Sequence, residues 1–224
     1  MKIVAVLATF VAALVIIAVA VWLGFHLLSP DHPPGPLANT LEVRVVAVNG
    51  ARLAAGDHAG PDAFEDADAH RFADTGQAPA GWKWMPVSES VQGELADEVS
   101  NGSANGYISR TANGQMSFLV ADSPGLALTH AANLPAWRVR SVRLDTSGEM
   151  GPGLMIALDN EGGELMSSFT QNQIGHSVAI VIGGRIYSAS RVLDRVSDLI
   201  EIHFPEGQRH AADQLRDALL SGSD

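Results

Sequence analysis

Apolar and polar positions follow two different rhythms along this chain, and each predicts a different kind of element. In "LEVRVVAVNG" the apolar Leu41, Val43 and Val45 alternate with Glu42 and Arg44. That period of two predicts a half-buried strand ending at an Asn49-Gly50 turn. "YISRTANGQMSFLV", residues 107–120, sets two strand-like runs on either side of Asn113-Gly114, the pair best suited to a type I′ turn, and predicts a β-hairpin. Further on, "LALTHAANLPAWRVRSVRLD" predicts a short helix or turn and then a strand ending near Asp145, and "LMIALD" a further strand. The rhythm changes in "NEGGELMSSFTQNQIG". There Leu165, Met166 and Phe169 fall on one helical face and Gly175 stands where a C-terminal cap belongs.

A second hairpin comes next, Val178 to Ile182 and Arg185 to Ser190, joined by Gly183-Gly184. In "VSDLIEIHF" the residues Ile200, Ile202 and Phe204 point one way and Glu201 and His203 the other, which is a strand again. "GQRHAADQLRDALLSG" closes the chain as an amphipathic helix with Ala211, Leu215, Ala218 and Leu219 on its buried face. This order predicts an α+β fold: a mainly antiparallel sheet with helices packed on one face.

The first 28 residues obey neither rhythm. From Ile3 to Leu28 there is no formally charged residue, Lys2 precedes the run, and Trp22 lies towards its far end. About twenty apolar residues suffice to span a bilayer as a helix. A cleaved signal peptide with Ala18-Val19-Ala20 at the cut is the rival reading. The apolar run continues through Val21, Trp22, Leu23 and Phe25, which favours a retained anchor. Lys2 before the span and Asp31 after it favour a body outside the cytoplasm. The expected organisation is an anchor over 1–28, a Pro-rich linker over 29–40, an N-terminal part over 41–127 and an α+β subdomain over 128–222.

Two stretches of the N-terminal part carry candidate chemistry. Asp57, Asp62, Glu65, Asp66 and Asp68 lie close together with His58 and His70. They suggest either a divalent-cation site or a solvated acidic helix or loop, and the spacing of a calcium loop is missing. In "GWKWMPVSE", Trp82 and Trp84 would share one face of a strand beside Met85. They form either packing or an exposed apolar surface that receives a peptide.

Composition narrows the function. The formal net charge is −11, from 14 Lys and Arg against 25 Asp and Glu, so a phosphate backbone is repelled and nucleic acid is not an expected partner. With no cysteine there is no disulfide, no thiolate metal site and no cysteine nucleophile. The eight histidines fall into no ligand spacing. "TSGEMGPG" lacks the context of a nucleotide loop, and Ser188 and Ser190 sit in a strand, away from any nucleophile elbow. No catalytic residue, metal or cofactor is predicted, and His176 and His203 are expected to be structural.

From Leu128 onward the order of motifs resembles the head of the first periplasmic domain of SecD, a protein-export membrane protein that works beside the Sec channel. The counterparts are Leu128-Thr129, then "LMIALDNEGGELMSSFTQNQIG" with Thr170, Asn172 and Gly175, then "SVAIVIGGRIYSASRV" and "IEIHFPEGQRHAADQLRDALLSG". "LEVRVVA" and "GWKWMP" resemble segments that precede the head in many members. The hairpin departs from the family pattern at Gly183, where Asp is usual, and at Ser190, where Pro is usual.

Taken with the single apolar span Ile3–Leu28, which makes the expected protein single-pass in the bacterial inner membrane, the resemblance implies a non-catalytic, polypeptide-binding protein with Sec translocase components or translocating polypeptide as partners. Trp82, Trp84, Met85 and Tyr187 are the expected contacts. Thr170, Asn172, Gly175, Gly183, Gly184 and Ser188 are the expected scaffold of the motif. SecD couples motion to proton flow through a multi-helix bundle with buried charges, whereas one span without Asp, Glu, Lys or Arg holds no proton relay of its own. An adaptor that binds one folded partner, and a hydrolase with an unrecognised site, are the alternatives.

Overall fold

The computed structural model describes residues 40–52, 60, 62–100, 106–130, 138–145 and 151–220. The chain divides into two units, residues 1–33 and 34–224, and every described residue belongs to the second. The predicted anchor Ile3–Leu28 lies outside the described residues. Among the described residues no helix is long and apolar enough to cross a membrane.

A single extended run from Leu41 to Asn49 organises the body. Its first part is β1 (Leu41–Val45), which lies between two antiparallel neighbours, β10 (Ser177–Ile182) and β7 (Ala127–His130). With β11 (Arg185–Arg191) outside β10, the sheet order is β11-β10-β1-β7. The run then crosses to other partners. Val46 bridges Val120, Ala47 donates its N–H to Leu119 O and accepts from Ile108 N–H, and β2 (Val48–Asn49) pairs in parallel with β3 (Ala63–Phe64).

The predicted alternation is therefore present, but its meaning changes. Leu41, Val43 and Val45 are fully buried, and Arg44, on the face expected to meet water, is buried to 8% exposure. A buried guanidinium needs partners. Arg44 pairs with Glu42 and donates from Nη1 to the carbonyl oxygen of Ala121 at 2.7 Å.

The Asn113-Gly114 hairpin forms as predicted. It joins β5 (Ser109–Ala112) to β6 (Gln115–Ala121), and β4 (Trp82–Pro86) completes a sheet of order β4-β6-β5. A third sheet, β12-β9-β8, is built from β12 (Leu199–His203), β9 (Gly153–Leu158) and β8 (Val139–Asp145). The acidic stretch holds a helix, α1 (Asp66–Thr75), and α2 (Gln92–Ser100) comes after β4. Sequence periodicity does not mark α2, and β7 is a strand where a helix or turn is expected.

Two longer helices cover the sheets. In α3 (Asn160–Asn172) the N-cap Asp159 accepts the N–H of Gly162 at 2.8 Å, which satisfies one of the free donors of the first turn. Met166 is buried and Phe169 half-buried as predicted, whereas Leu165 is exposed. The inner face is completed by Gly162 and Gly163 instead. This helix packs on β7 and β9, and α4 (Arg209–Leu220) packs on β8 and β9 through Ala212, Leu215 and Leu219. The fold is mixed α+β with antiparallel sheets predominating, as expected.

Candidate functional site

The motif residues at α3 and the hairpin after it do structural work that can be traced atom by atom. Thr170 is buried on the last turn of α3. Its hydroxyl lies 2.8 Å from Met166 O and 3.0 Å from Val196 O, and accepts the N–H of Val196 at 2.9 Å. It thereby fastens the connector between β11 and β12 along the helix. Asn172 is exposed at the helix end. Gly175 donates its N–H to Val192 O, so the chain leaves α3 already bonded to the far end of the hairpin.

Gly183 and Gly184 have φ of 56° and 77°, both left-handed, as the type I′ turn between β10 and β11 requires. Ser188 is half-buried opposite Ile180. The register shifts between Ile180 and Val181, and Tyr187 is the extra residue of that bulge. Bulges re-aim side chains and end regular pairing. Tyr187 is half-buried there, one residue from Ile186, which bridges Val87 just beyond β4.

The aromatic strand β4 divides its side chains between two environments. Met85 is 6% exposed and packs with the main core. Trp82 and Trp84 are half-buried and pack against a smaller cluster of Ala47, Ala69, Phe72, Ile108 and Leu119, and Trp82 touches the main core as well. Phe64 stands edge-on to Trp82 at 5.3 Å and to Phe72 at 5.4 Å. The guanidinium of Arg110 lies 4.9 Å from the Trp84 ring centre, a cation–π contact. Among the described residues, Trp84 Nε1 and Arg110 Nε are buried donors without a hydrogen-bond partner.

Gly76 makes room for that arginine. It ends α1 with φ 67°, and a Cβ there would come within 1.9 Å of Arg110 Nη1. The last turn of α1 has no basic residue of its own. Arg110 therefore brings a cation to the negative end of the helix dipole from another element. The structure thus brings Trp82 and Trp84 together, sets Met85 behind them in the core, and places Tyr187 near the strand's far end.

Polar links tie the elements around these residues, and no pattern in the sequence marks them. Asp122 binds Lys83 Nζ at 2.8 Å and lies 3.4 Å from Arg44 Nη1. The hydrogen bond from Lys83 is the main cause that holds the Asp122 carboxyl below its ordinary range, against a smaller opposing effect of burial. His176, at the start of β10, meets the buried Asp62 through Nδ1 at 2.7 Å. The acidic stretch so contributes a structural carboxylate to the hairpin. No sequence spacing relates residues 62 and 176, so only the fold could reveal that pair.

A cavity of about 140 Å³ opens beside α1, lined in part by Asn49, His70, Tyr107 and Ser109. Asn49 donates to Asp66 at 2.6 Å, and His70 lies 3.4 Å from the same carboxylate. Among the described residues no group of three His, Asp or Glu side chains is placed to hold a metal ion.

Comparison with known proteins bears on the second half of the chain. Residues 122–223 match the family model described as SecDF, P1 head subdomain. Two solved structures are similar to this chain over most of its length. One, of SecDF in a super-membrane-facing form, is 16% identical with a TM-score of 0.38 over 83% of this chain and 20% of its own. The other, of SecDF as a membrane component that enhances protein export, is 17% identical with a TM-score of 0.38 over 82% of this chain and 94% of its own. The chain spans about a fifth of the length of the first of these. No curated protein matches it.

Proposed function

From a SecDF P1 head-like subdomain over residues 122–223, we propose that this protein is a non-catalytic accessory of Sec-dependent protein export that binds polypeptide. The match of that segment is the observation that carries the reading. The resemblance to SecD supplies the setting, a domain outside the cytoplasm that works beside the Sec channel. Anchorage through Ile3–Leu28 in a bacterial inner membrane belongs to the same proposal.

The chemistry of the body is compatible with such a partner. A net charge of −11 favours basic or neutral chains over anionic ones. Trp82, Trp84 and Tyr187 are half-buried, and Met85 is buried in the core beside them. Aromatic rings offer large contact area with few rotors to freeze, which suits binding of varied apolar segments.

In-cell photocrosslinking tests the reading, with probes at positions 82, 84 and 187 in native membranes and mass spectrometry of the products. Translocating chains or subunits of the Sec channel are the expected products. Dominance by one unrelated envelope protein would overturn the export role and assign the subdomain to an adaptor.

A further inference from the structure

An exposed sheet edge is a row of backbone donors and acceptors without partners, and proteins blunt such edges with short strands, proline, bulges or charge. Most edges here are blunted. β8 is bulged at Arg140 and flanked by exposed Arg138, Arg140 and Arg143. β11 is bulged at Tyr187, and on its outer side Ile186 O accepts the N–H of Ser88. β4 ends in Pro86, and β5 and β7 have four residues each.

β12 has neither a bulge nor a proline within it, and Glu201 is its one formally charged residue. Its five residues pair with β9 from Leu199↔Ala157 to His203↔Gly153 without a shift. Leu158 donates its N–H to Asp198 O, and Phe204 donates its N–H to Pro152 O. Bonded and unbonded positions alternate in an antiparallel ladder. Asp198, Ile200, Ile202 and Phe204 therefore face β9, and the N–H and C=O groups of Leu199, Glu201 and His203 point away from it. Among the described residues no strand takes them up.

We propose that β12 is a docking edge for an extended polypeptide segment, which adds as a fourth strand to the β12-β9-β8 sheet. This rests on the polypeptide-binding reading and assigns it a place and a mode. Backbone groups at a two-residue repeat are recognised by another backbone, so main-chain hydrogen bonds supply the affinity and alternate side chains the preference.

The surroundings define those side chains. Leu199 is 40% exposed on the outer edge, and the connector leading into β12 presents Leu193, 82% exposed, and Val196, 39% exposed. Asp194, Asp198, Glu201 and Glu206 are exposed around it, with Arg195 the one basic residue between 194 and 206 apart from His203, which lies 3.5 Å from Glu201. The segment that fits alternates apolar residues with lysine or arginine. A second copy of this chain fits worse: the register that uses all five residues sets Glu201 directly against Glu201 of the second copy.

The test uses the full chain in detergent micelles and a fluorescent octapeptide of alternating valine and lysine. Saturating peptide is expected to slow amide exchange at Leu199, Glu201 and His203 by about tenfold or more, with Ile200 and Ile202 unchanged. Glu201→Pro removes an outward N–H and leaves the bonds to β9 intact. It should weaken binding by about tenfold, the equivalent of one hydrogen bond and one charge contact. The same peptide N-methylated at every residue should lose binding to the unaltered protein, a result independent of how the variant folds. Binding that survives both changes overturns the docking edge and leaves the polypeptide reading standing. Absence of binding to the unaltered protein overturns the reading and the edge together.

Discussion

The two apolar clusters among the described residues meet at one strand, β6, and differ in kind. β6 sends Phe118 and Val120 into the main core and Leu119 into the smaller one. The main core is largely aliphatic, and Phe118, Leu154, Ile156, Ile202 and Leu219 are fully buried within it. The smaller cluster is aromatic at its margin, where Phe64, Trp82 and Trp84 are only half-buried. It alone holds the two buried donors that lack partners among the described residues. Saturated packing makes the first a source of stability. Incomplete burial and unmet hydrogen bonds make the second the cheaper place to rearrange, and hence the better place for a surface that must adapt.

The comparison predicts graded costs. Phe118→Ala should lower the unfolding free energy by about 3–5 kcal/mol in denaturant titration. Phe72→Ala, at the smaller cluster, should cost about half as much because its neighbours can relax towards the surface. Equal costs would mean that the two clusters behave as one. Gly76→Ala should cost about 1–2 kcal/mol, combining a strained left-handed backbone with displacement of Arg110. Adding Arg110→Ala should recover the steric part, so the double change would be less than additive. Trp84→Phe should change stability by less than about 1 kcal/mol, since the lost ring area is offset by removal of an unpartnered N–H.

The smallest effect belongs to the Asp122–Lys83 link, which ties the residue after β6 to β4. Because its carboxyl titrates below the ordinary carboxylate range when folded, its contribution is present above that range and is lost as pH falls through the folded value. The group is 50% exposed, so Asp122→Asn should flatten the acid limb of a stability–pH profile by no more than a few tenths of a kcal/mol.

How much the sequence disclosed depends on how local each signal is. Asn113-Gly114 and Gly183-Gly184 announce their hairpins because a positive φ at both turn positions is a demand on those residues alone. β12 and α4 are legible through periods that a single element must satisfy. Arg44 misleads because alternation reports two faces without saying what lies against the second, and here the second face is covered too. Ala127–His130 looks like a turn in the sequence because a four-residue strand takes its identity from its neighbour β1. The aromatic site is legible in type, through the crowding of Trp82 and Trp84. Its contacts with Phe64, Phe72 and Arg110 depend on segments that only folding brings together.

The central position of β1 also bears on when this protein can fold. Synthesis delivers Leu41, Val43 and Val45 first, but their two flanking strands begin only at Ala127 and Ser177. Until the second of these leaves the ribosome, one side of β1 has no native partner. Long-range pairing of this kind slows folding and prolongs exposure of apolar chain. A protein proposed to bind translocating polypeptide therefore carries an apolar strand of its own that stays unpaired on one side until the β10–β11 hairpin emerges.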